Sequence, residues 1–387
     1  MGSRRIRSWS AVLLVATVLG LSPTPVGARD PQRSAPVTPL QVFQMQMFSP
    51  SIGVGLALTS RRLSQGHVLI VRTGDGGVSW RVSGSLMRRS TGSDPLLAQM
   101  AFSSANVGYV ESIETNQLLF TSNGGRSWST IRSPGPITGI SLSPGLLWVM
   151  ASHCPPVTKE TFVNPSLCPS ELSVFGVGTR TPTSNSIIPT EGPVLGGTVH
   201  SPTFQAALLA HHGSEGVVVE GGEGLPSSLL QTENAGQTWM LIDDPCRPEG
   251  PTGLIQSSSA DWVLYCSLDG GMEQGTNELW RTSDGGRSWD LEAEGSEQND
   301  PPDIGTIGAA MMGGLTESGN GRVLWMLGQV GGVAVSSDMG RNWRDVPLQT
   351  GGDQIPIAMW GATEAWLPVW GRGIFRTLNG TTWSKLK

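Results

Sequence analysis

Short apolar runs separated by glycine-rich turns recur along the chain, and they have the length of β-strands. Pairs of such runs, each with a short polar turn between them, extend from Met100 to Tyr109, from Ile255 to Tyr265 and from Pro356 to Trp366. Apolar runs of this length bounded by Gly, Asn, Ser or Pro are typical of strands, whereas helices need a longer pattern with a period of 3.6. The pattern predicts an all-β fold of many short strands.

An eight-residue motif follows these strand pairs: Thr, any residue, Asp or Asn, Gly, Gly, any residue, Ser or Thr, and Trp. Three copies vary. The copy ending at Trp239 has Ala at its fourth position, the copy ending at Trp343 has Ser at its first position, Met at its fourth and Asn at its seventh, and the copy ending at Trp383 is one residue short. The third-position and last residues of the six copies are Asp75 and Trp80, Asn123 and Trp128, Asn234 and Trp239, Asp284 and Trp289, Asp338 and Trp343, and Asn379 and Trp383.

The spacing of the motif predicts seven repeats. Neighbouring copies are 40 to 54 residues apart, except that 111 residues separate Trp128 from Trp239, which is close to two periods. One repeat, at about residues 134–195, has therefore lost its motif. That repeat carries Cys154 and Cys168, and we expect a disulfide there to replace the missing motif.

The residue types of the motif are those of a tight hairpin. Asp or Asn accepts hydrogen bonds from backbone N–H groups a few residues later, and Gly adopts a positive φ without a steric clash. The Trp begins the next strand and buries a large ring. A calcium loop is the alternative, but it needs more carboxylates at alternating positions than the motif has. We therefore interpret the motif as structural.

Each repeat combines strand, turn, strand, loop, strand, motif and strand. Four strands in about 50 residues make one blade of a β-propeller, and blades must stack into a ring to bury both faces. We predict one domain over residues 38–387: a seven-bladed β-propeller of four-stranded antiparallel blades. Two modes of closure remain open, namely packing of the first blade on the last and a closing strand from Val37–Gln44.

The N-terminus has the features of an export signal. Three arginines precede an apolar run from Ala11 to Leu21, and Val26-Gly27-Ala28 forms a small-residue cleavage site. The run is about half the length that spans a bilayer. We predict a signal peptide over residues 1–28, cleaved after Ala28, a linker over 29–37, and a secreted or cell-envelope protein without a transmembrane segment in its mature chain.

Export makes the four cysteines candidates for disulfides. Three connectivities are possible, and we expect local pairing of Cys154 with Cys168 and of Cys246 with Cys266. Their spacing, and the absence of a His pair at a zinc-ligand interval, do not indicate a metal site.

Composition narrows the range of partners. The net charge is −6, and only three of the 25 basic residues are lysines. The sequence therefore does not indicate the basic surface that proteins use to bind nucleic acid. The sequence also has no phosphate loop and no dinucleotide fingerprint, so no cofactor is expected. We expect a monomer.

The motif resembles the Asp-box, or BNR, repeat family of β-propellers over nearly all of the predicted mature chain. The residue pattern of the whole repeat is most similar to that of photosystem II assembly factor-like bacterial propellers, and it also resembles that of sialidase and xyloglucanase-like propellers. The resemblance implies that the boxes lie in outer hairpins, away from the central pocket, so that their Asp residues are not catalytic.

No catalytic residue can be assigned from the sequence. A sialidase needs a Tyr–Glu pair, but Tyr109 and Tyr265 are the only tyrosines, and both lie in predicted strands. A glycosidase needs two carboxylates flanking the scissile bond. The candidates in or near predicted loops are Asp261, Glu273, Asp303, Glu317 and Glu364. We expect a non-catalytic module that binds a protein or glycan on its central face, with a glycoside hydrolase as the alternative.

Overall fold

The computed structural model describes residues 41–59, 67–87, 99–112, 117–152, 170–188, 208–220, 228–246, 251–268, 276–295, 305–306, 315–317, 322–327, 333–346, 348, 357–361, 363–369 and 371–387. Within these ranges the chain forms strands, turns and bends and contains no helix, so none that could span a membrane. The predicted signal peptide, the linker, and Cys154 and Cys168 lie outside the described residues.

Consecutive strands form seven antiparallel sheets, which we call blades 1 to 7 in chain order. Blade 1 consists of β1 (Gln41–Met47), β2 (Gly53–Leu58), β3 (Val68–Thr73) and β4 (Arg81–Met87). Blade 2 consists of β5 (Met100–Phe102), β6 (Gly108–Ser112), β7 (Gln117–Thr121) and β8 (Ser129–Arg132). Blade 3 consists of β9 (Ile137–Ser143), β10 (Leu146–Ser152), β11 (Ser170–Gly176) and β12 (Ser184–Ile187).

The remaining blades repeat this order. Blade 4 consists of β13 (Leu208–His212), β14 (Glu215–Glu220), β15 (Ser228–Thr232) and β16 (Met240–Ile242). Blade 5 consists of β17 (Pro251–Gln256), β18 (Trp262–Leu268), β19 (Thr276–Thr282) and β20 (Asp290–Gly295), with β21 (Gly305–Thr306) added in parallel to β20. Blade 6 consists of β22 (Thr316–Glu317), β23 (Leu324–Leu327), β24 (Val333–Ser336) and β25 (Trp343–Val346). Blade 7 consists of β26 (Ala358–Trp360), β27 (Glu364–Val369), β28 (Gly373–Thr377) and β29 (Trp383–Lys385).

This architecture confirms the predicted seven-bladed propeller of four-stranded blades. The repeat without a motif is a complete blade, because β9 to β12 pair in one sheet. The seven repeats inferred from the spacing therefore correspond one to one with the seven blades.

The first strand of each blade lies nearest the centre of the ring. Contacts between neighbouring blades join first strand to first strand, as between β5 and β9, β9 and β13, and β13 and β17. The fourth strand, at the other edge of each sheet, is peripheral. In blade 2, Gly108 pairs with both Phe102 and Thr121, so the first turn and the last hairpin lie at the same end. We call this end of the ring the box face.

The hydrophobic core lies between the blades. Alternate residues of a strand point to opposite faces of its sheet, so each blade contributes to the two seams beside it. In β2, Val54 and Leu56 pack against blade 2, whereas Ala57 packs against blade 7. The fully buried side chains include four tryptophans of second strands, Trp148, Trp262, Trp325 and Trp366.

The ring closes by packing of blade 1 on blade 7. Residues 41–44 belong to β1, which pairs only with β2, so the alternative of a closing strand is wrong for the described part of that segment. Hydrogen bonds and apolar contacts cross the closing seam. The indole Nε1 of Trp366 donates to the carbonyl of Gly76 at 2.8 Å, Arg376 donates to the carbonyl of Pro50 at 3.2 Å, and the side chains of both blades share one apolar cluster.

One disulfide links two neighbouring blades. It joins Cys246, which follows β16 of blade 4, to Cys266 in β18 of blade 5, and both residues are fully buried. The Cα atoms are 5.3 Å apart, within the normal range for a disulfide.

Candidate functional site

The six Asp-box hairpins connect the third and fourth strands of blades 1, 2 and 4 to 7, at the periphery of the box face. In the first, the Oγ1 of Thr73 donates to Asp75 at 2.8 Å and accepts the N–H of Gly77 at 2.8 Å. The same oxygen of Asp75, Oδ1, accepts the N–H of Ser79 at 2.9 Å, and its Oδ2 accepts the hydroxyl group of Ser79. The indole of Trp80 donates to the carbonyl of Gly77 at 3.0 Å.

In each of the other boxes the hydroxyl of the first residue donates to the third residue, but the indole donates to the carbonyl of the fifth-position Gly only in the boxes of blades 2 and 6. Asn replaces Asp at three positions, and in two of these its amide donates to the seventh residue, from Asn123 to Ser127 at 2.7 Å and from Asn234 to Thr238 at 2.8 Å. Every box Trp is half-buried. The oxygens of the third residue are thus used within the hairpin, in agreement with a structural role.

These hydrogen bonds stabilise the ionised Asp. Hydrogen bonds from the hydroxyl and N–H of Ser288 lower the pKa of Asp284 to about 2. At Asp75 and Asp338 partial burial alone would raise the pKa, but the hydrogen bonds of their hairpins outweigh burial and lower both pKa values. The lowered pKa values therefore reflect hairpin structure and do not mark a reactive site.

The hairpin of blade 3 is held in a different way. The hydroxyl of Tyr109, in blade 2, accepts the N–H of Gly178 and donates to the carbonyl of Thr179, both at 3.0 Å. Cys154 and Cys168 lie outside the described residues, so the predicted disulfide between them stays a prediction. Within the described residues, Tyr109 is the side chain of another blade that reaches this hairpin.

Amide side chains of blades 1 and 2 bridge the seams near the centre. Gln46 donates to the carbonyl of Phe102 at 2.7 Å and accepts the N–H of the same residue at 2.9 Å. Gln99 accepts the N–H of Ile140 at 2.9 Å in the next seam. In both cases the amide side chain forms hydrogen bonds with the backbone of the first strand of the neighbouring blade. These bonds occupy polar groups that could otherwise bind a ligand.

A histidine has the same role between blades 3 and 4. His211 lies 3.0 Å from the carbonyl of Ser141 through Nε2 and 3.0 Å from the hydroxyl of Ser143 through Nδ1. Its ring stacks on Trp148 with 4.6 Å between centroids, and burial lowers its pKa. These contacts make His211 a structural residue of the seam.

The candidate carboxylates do not converge on one described site. Asp261 forms an ion pair with Arg281 at 2.9 Å in blade 5, and Glu364 pairs with Arg376 in blade 7. Glu317, in blade 6, accepts a hydrogen bond from Ser257, and burial raises its pKa. The other two candidates, Glu273 and Asp303, lie outside the described residues.

Sequence reasoning missed a buried glutamate. Glu111 lies near the end of β6, and burial raises its pKa to about 7. Because β6 begins at the box face, Glu111 lies towards the opposite face, whereas Glu317 pairs with Leu324, the partner of the first residue in the box of blade 6. These two carboxyl groups therefore lie at opposite ends of the ring. Burial also raises the pKa of a third glutamate, Glu278 in β19, which accepts a hydrogen bond from the indole of Trp280 at 2.7 Å.

A groove open to solvent lies at the seam between blades 1 and 7. Its volume is about 280 Å³. The apolar part of its lining consists of Val42, Val78, Trp80, Ile374 and Leu386, together with glycines of both blades. The polar part consists of Gln41, Arg372, Lys385 and Lys387.

The last strand of blade 7 contributes Leu386 to the apolar side of the groove. The N–H of Leu386 donates to the carbonyl of Ile374 at 2.8 Å, so the strand arrangement continues past Lys385. Alternation then places Leu386 towards the core, where it packs with Trp80, and leaves Lys385 and Lys387 on the other side. Both lysines and Arg372 are exposed, and no carboxylate side chain is among the described lining residues.

The sequence contained a weak signal for this groove, because two of only three lysines lie within its last three positions. It could not show that Arg372, Trp80 and Val42 lie beside them. Binding on the central face stays a prediction; the described residues near the centre include the amide and histidine bridges of the seams.

Comparison with known proteins identifies the fold only. No family model matches the chain, and no curated protein matches it. Among solved structures, "YCF48 bound to D1 peptide" is 17% identical, with 88% of this chain and 91% of that chain aligned and a TM-score of 0.50. "KlHsv2 with loop 6CD replaced by a Gly-Ser linker" is 11% identical over 90% of this chain and all of that chain, with a TM-score of 0.51.

A glycoside hydrolase is also similar in structure. The GH74 enzyme of Niastella koreensis is 10% identical over 86% of this chain and 60% of that chain, with a TM-score of 0.33. At these identities the likeness concerns the propeller, which hosts many unrelated functions.

Proposed function

We propose that this chain is an exported, monomeric, non-catalytic propeller that binds a segment of a protein partner. The proposal rests on one observation: in the described part of the ring, most candidate polar side chains are engaged in hydrogen bonds or ion pairs with other residues of the protein. The central amides and His211 bridge neighbouring blades, and Asp261 and Glu364 pair with arginines of their own blades. Among the described residues, the open groove between blades 1 and 7 offers a surface to a ligand.

The similarity to a propeller solved with a bound peptide supports this choice of partner. In "YCF48 bound to D1 peptide" the ligand of that propeller is a peptide. By analogy, we propose that a protein segment rather than a glycan is the ligand here. The Asp-box family resemblance, which includes binding propellers and enzymes, is compatible with this proposal.

A glycoside hydrolase is the second candidate, and one observation favours it. Glu317 has the raised pKa of a general acid. The reaction needs a second carboxylate about 5–10 Å away. Glu317 instead contacts Ser257 of the neighbouring blade, and the other buried glutamate, Glu111, belongs to the opposite face.

Two assays on the mature protein test the proposal. In the first, the immobilised protein selects from a displayed library of random peptides of about seven residues. In the second, it is incubated with polysaccharides and sialylated glycans, and released sugar and retained glycan are both measured. We expect enriched peptides and no released sugar. Released sugar, or glycan retention without any enriched peptide, would contradict the proposal.

A further inference from the structure

The box of blade 7 surrounds one side-chain oxygen with hydrogen-bond donors. The Oδ1 of Asn379 accepts the N–H groups of Thr381 and Thr382, both at 2.9 Å, and their hydroxyl groups at 2.9 Å and 3.1 Å. The hydroxyl group of Thr377 donates to the same oxygen at 3.3 Å. This box is one residue shorter than the others, so its chain turns back sooner and brings more donors to the third residue.

The other two boxes with Asn at the third position are held differently. The Oδ1 of Asn123 and that of Asn234 each accept two donors, the hydroxyl group of the first residue and the N–H of the seventh. Their Nδ2 groups donate to the hydroxyl group of the seventh residue, at 2.7 Å and 2.8 Å. Among the described residues the Nδ2 of Asn379 has no such acceptor, and Asn379 is exposed whereas the other two are half-buried. The amide group of Asn379 is therefore polarised at its oxygen and open to water at its nitrogen.

The peptide nitrogen after each asparagine differs in the same way. The N–H of Gly124, after Asn123, donates to a carbonyl in the first turn of its blade at 2.8 Å, and the N–H of Ala235 does the same at 2.7 Å. In the part of the chain that the structure describes, the N–H of Gly380 donates to no acceptor. Gly380 also has no Cβ that would hinder a reaction at its nitrogen. This nitrogen can therefore approach the side chain of Asn379.

These features together favour one reaction. The nitrogen of Gly380 attacks Cγ of Asn379, which forms an N–Cγ bond and places negative charge on Oδ1. The Cγ–Nδ2 bond then breaks, and ammonia leaves with the proton of the Gly380 nitrogen. Water opens the resulting succinimide ring at either carbonyl and gives aspartate or isoaspartate. The donors around Oδ1 stabilise the negative charge of the intermediate, as an oxyanion hole does in acyl transfer.

We infer that Asn379 is a modification site, at which the folded hairpin promotes spontaneous loss of ammonia with water as the second reactant. The aspartate product carries the carboxylate that occupies the third position of three other boxes. There, as at Asp284, hydroxyl and N–H groups of the hairpin donate to the ionised side chain. The inference is independent of the proposed function, because residues of one hairpin carry it.

Peptide mapping by mass spectrometry, after prolonged incubation of the purified protein at neutral pH, tests the inference. Trypsin cleaves after Arg376 and Lys385, and the peptide between them contains Asn379 as its only asparagine. Asn123 is the internal control, since it is also followed by Gly. The same incubation in denaturant measures both sites without the fold, where two Asn–Gly pairs should react at similar rates.

We expect Asn379 to react at least about tenfold faster than Asn123 in the folded protein, because Asn123 must first lose the hydrogen bonds of its Nδ2 and of the following N–H. Asn379 should also react at least as fast in the folded protein as in denaturant. Equal rates at the two sites of the folded protein, or slower reaction of Asn379 in the folded protein than in denaturant, would overturn the inference.

Two variants, first compared with the wild type by thermal unfolding, test the role of the hairpin. The double variant with Thr381→Val and Thr382→Val removes two hydroxyl donors and keeps the side-chain shape, so it should slow the reaction about tenfold. Gly380→Ala should slow it through the added Cβ, and alanine already occupies this position in the box of blade 4. Ser384→Ala, an exposed change in β29, is the control and should leave the rate unchanged. An unchanged or faster rate in the double variant would contradict the inference.

Discussion

Two box residues adopt a backbone conformation that favours glycine. Ala235 and Met339 occupy the fourth position of their boxes with φ of 55° and 66°. Gly76, Gly124 and Gly285 occupy the same position in other boxes, with φ between 71° and 74°. A side chain in this left-handed region costs about 1–2 kcal/mol.

Replacing these residues with glycine should therefore stabilise the protein. We expect Met339→Gly and Ala235→Gly each to raise the free energy of unfolding by about 0.5–1 kcal/mol, since the relief of strain exceeds the added chain entropy. Denaturant unfolding measures the effect. The control, Gly285→Ala, should lower stability, because its Cβ also comes within 3.3 Å of the carbonyl of Ser259. A loss of stability in both glycine variants would contradict the strain argument.

The box aspartates should make the free energy of unfolding decrease at acid pH. The folded pKa of Asp284 is about 2, below its ordinary value of 3.8, and those of Asp75 and Asp338 are also lowered. The ionised form is thus favoured in the folded state, so the stabilisation is present above about pH 4 and is lost as the pH falls towards 2. The triple variant with Asp75→Asn, Asp284→Asn and Asp338→Asn should lose less stability over this range in denaturant titrations. An unchanged slope would show that other carboxyl groups cause the acid sensitivity.

At the scale of single elements, the hairpins account for most of what the sequence predicts. Hydrogen bonds between residues two to four apart define each box, so the motif alone specifies the turn, and its spacing specifies the number of blades. The hairpin of blade 3 could not be predicted in this way. Its hydroxyl partner, Tyr109, is about 70 positions earlier in the chain and belongs to another blade.

The Tyr109 hydroxyl should be specific for that hairpin. Tyr109→Phe removes one acceptor and one donor, and we expect it to cost about 1–3 kcal/mol and to speed hydrogen exchange at the N–H of Gly178. Phe120→Leu is the matched control, because Phe120 packs on Tyr109 with 5.1 Å between ring centroids but has no polar contact with the hairpin. It should destabilise the protein while the exchange of the Gly178 amide stays slow. Equal exchange in both variants would show that the hydroxyl does not hold the hairpin.

At the scale of the whole molecule, closure of the ring could not be read from the sequence. Residues of β1 and of β26 to β29 are more than 300 positions apart, and no local pattern distinguishes packing of two complete blades from a shared strand. The groove has the same origin, because it combines the first strand, the first box and the last strand. Sequence patterns predicted each of these elements, but they did not predict the site that the elements form together.

The Trp366 indole is the clearest test of closure by packing. Trp366→Phe leaves the buried carbonyl of Gly76 without its donor across the seam, so we expect a loss of about 1–3 kcal/mol in denaturant unfolding. Trp360→Phe is the control in the same blade, since Trp360 is 40% exposed and its replacement should change stability by less than about 0.5 kcal/mol. Similar small effects of both changes would indicate that the seam depends little on this bond.

Hydrogen exchange of the whole protein with a peptide selected from the library tests the central claim most directly, since it locates the bound segment without assuming its site. The account predicts slower exchange in two stretches that line the groove, residues 77–82 and 371–387, and unchanged exchange in the first strands of blades 3 to 5. Protection confined to those first strands, with none at residues 371–387, would contradict it and return the binding surface to the central face.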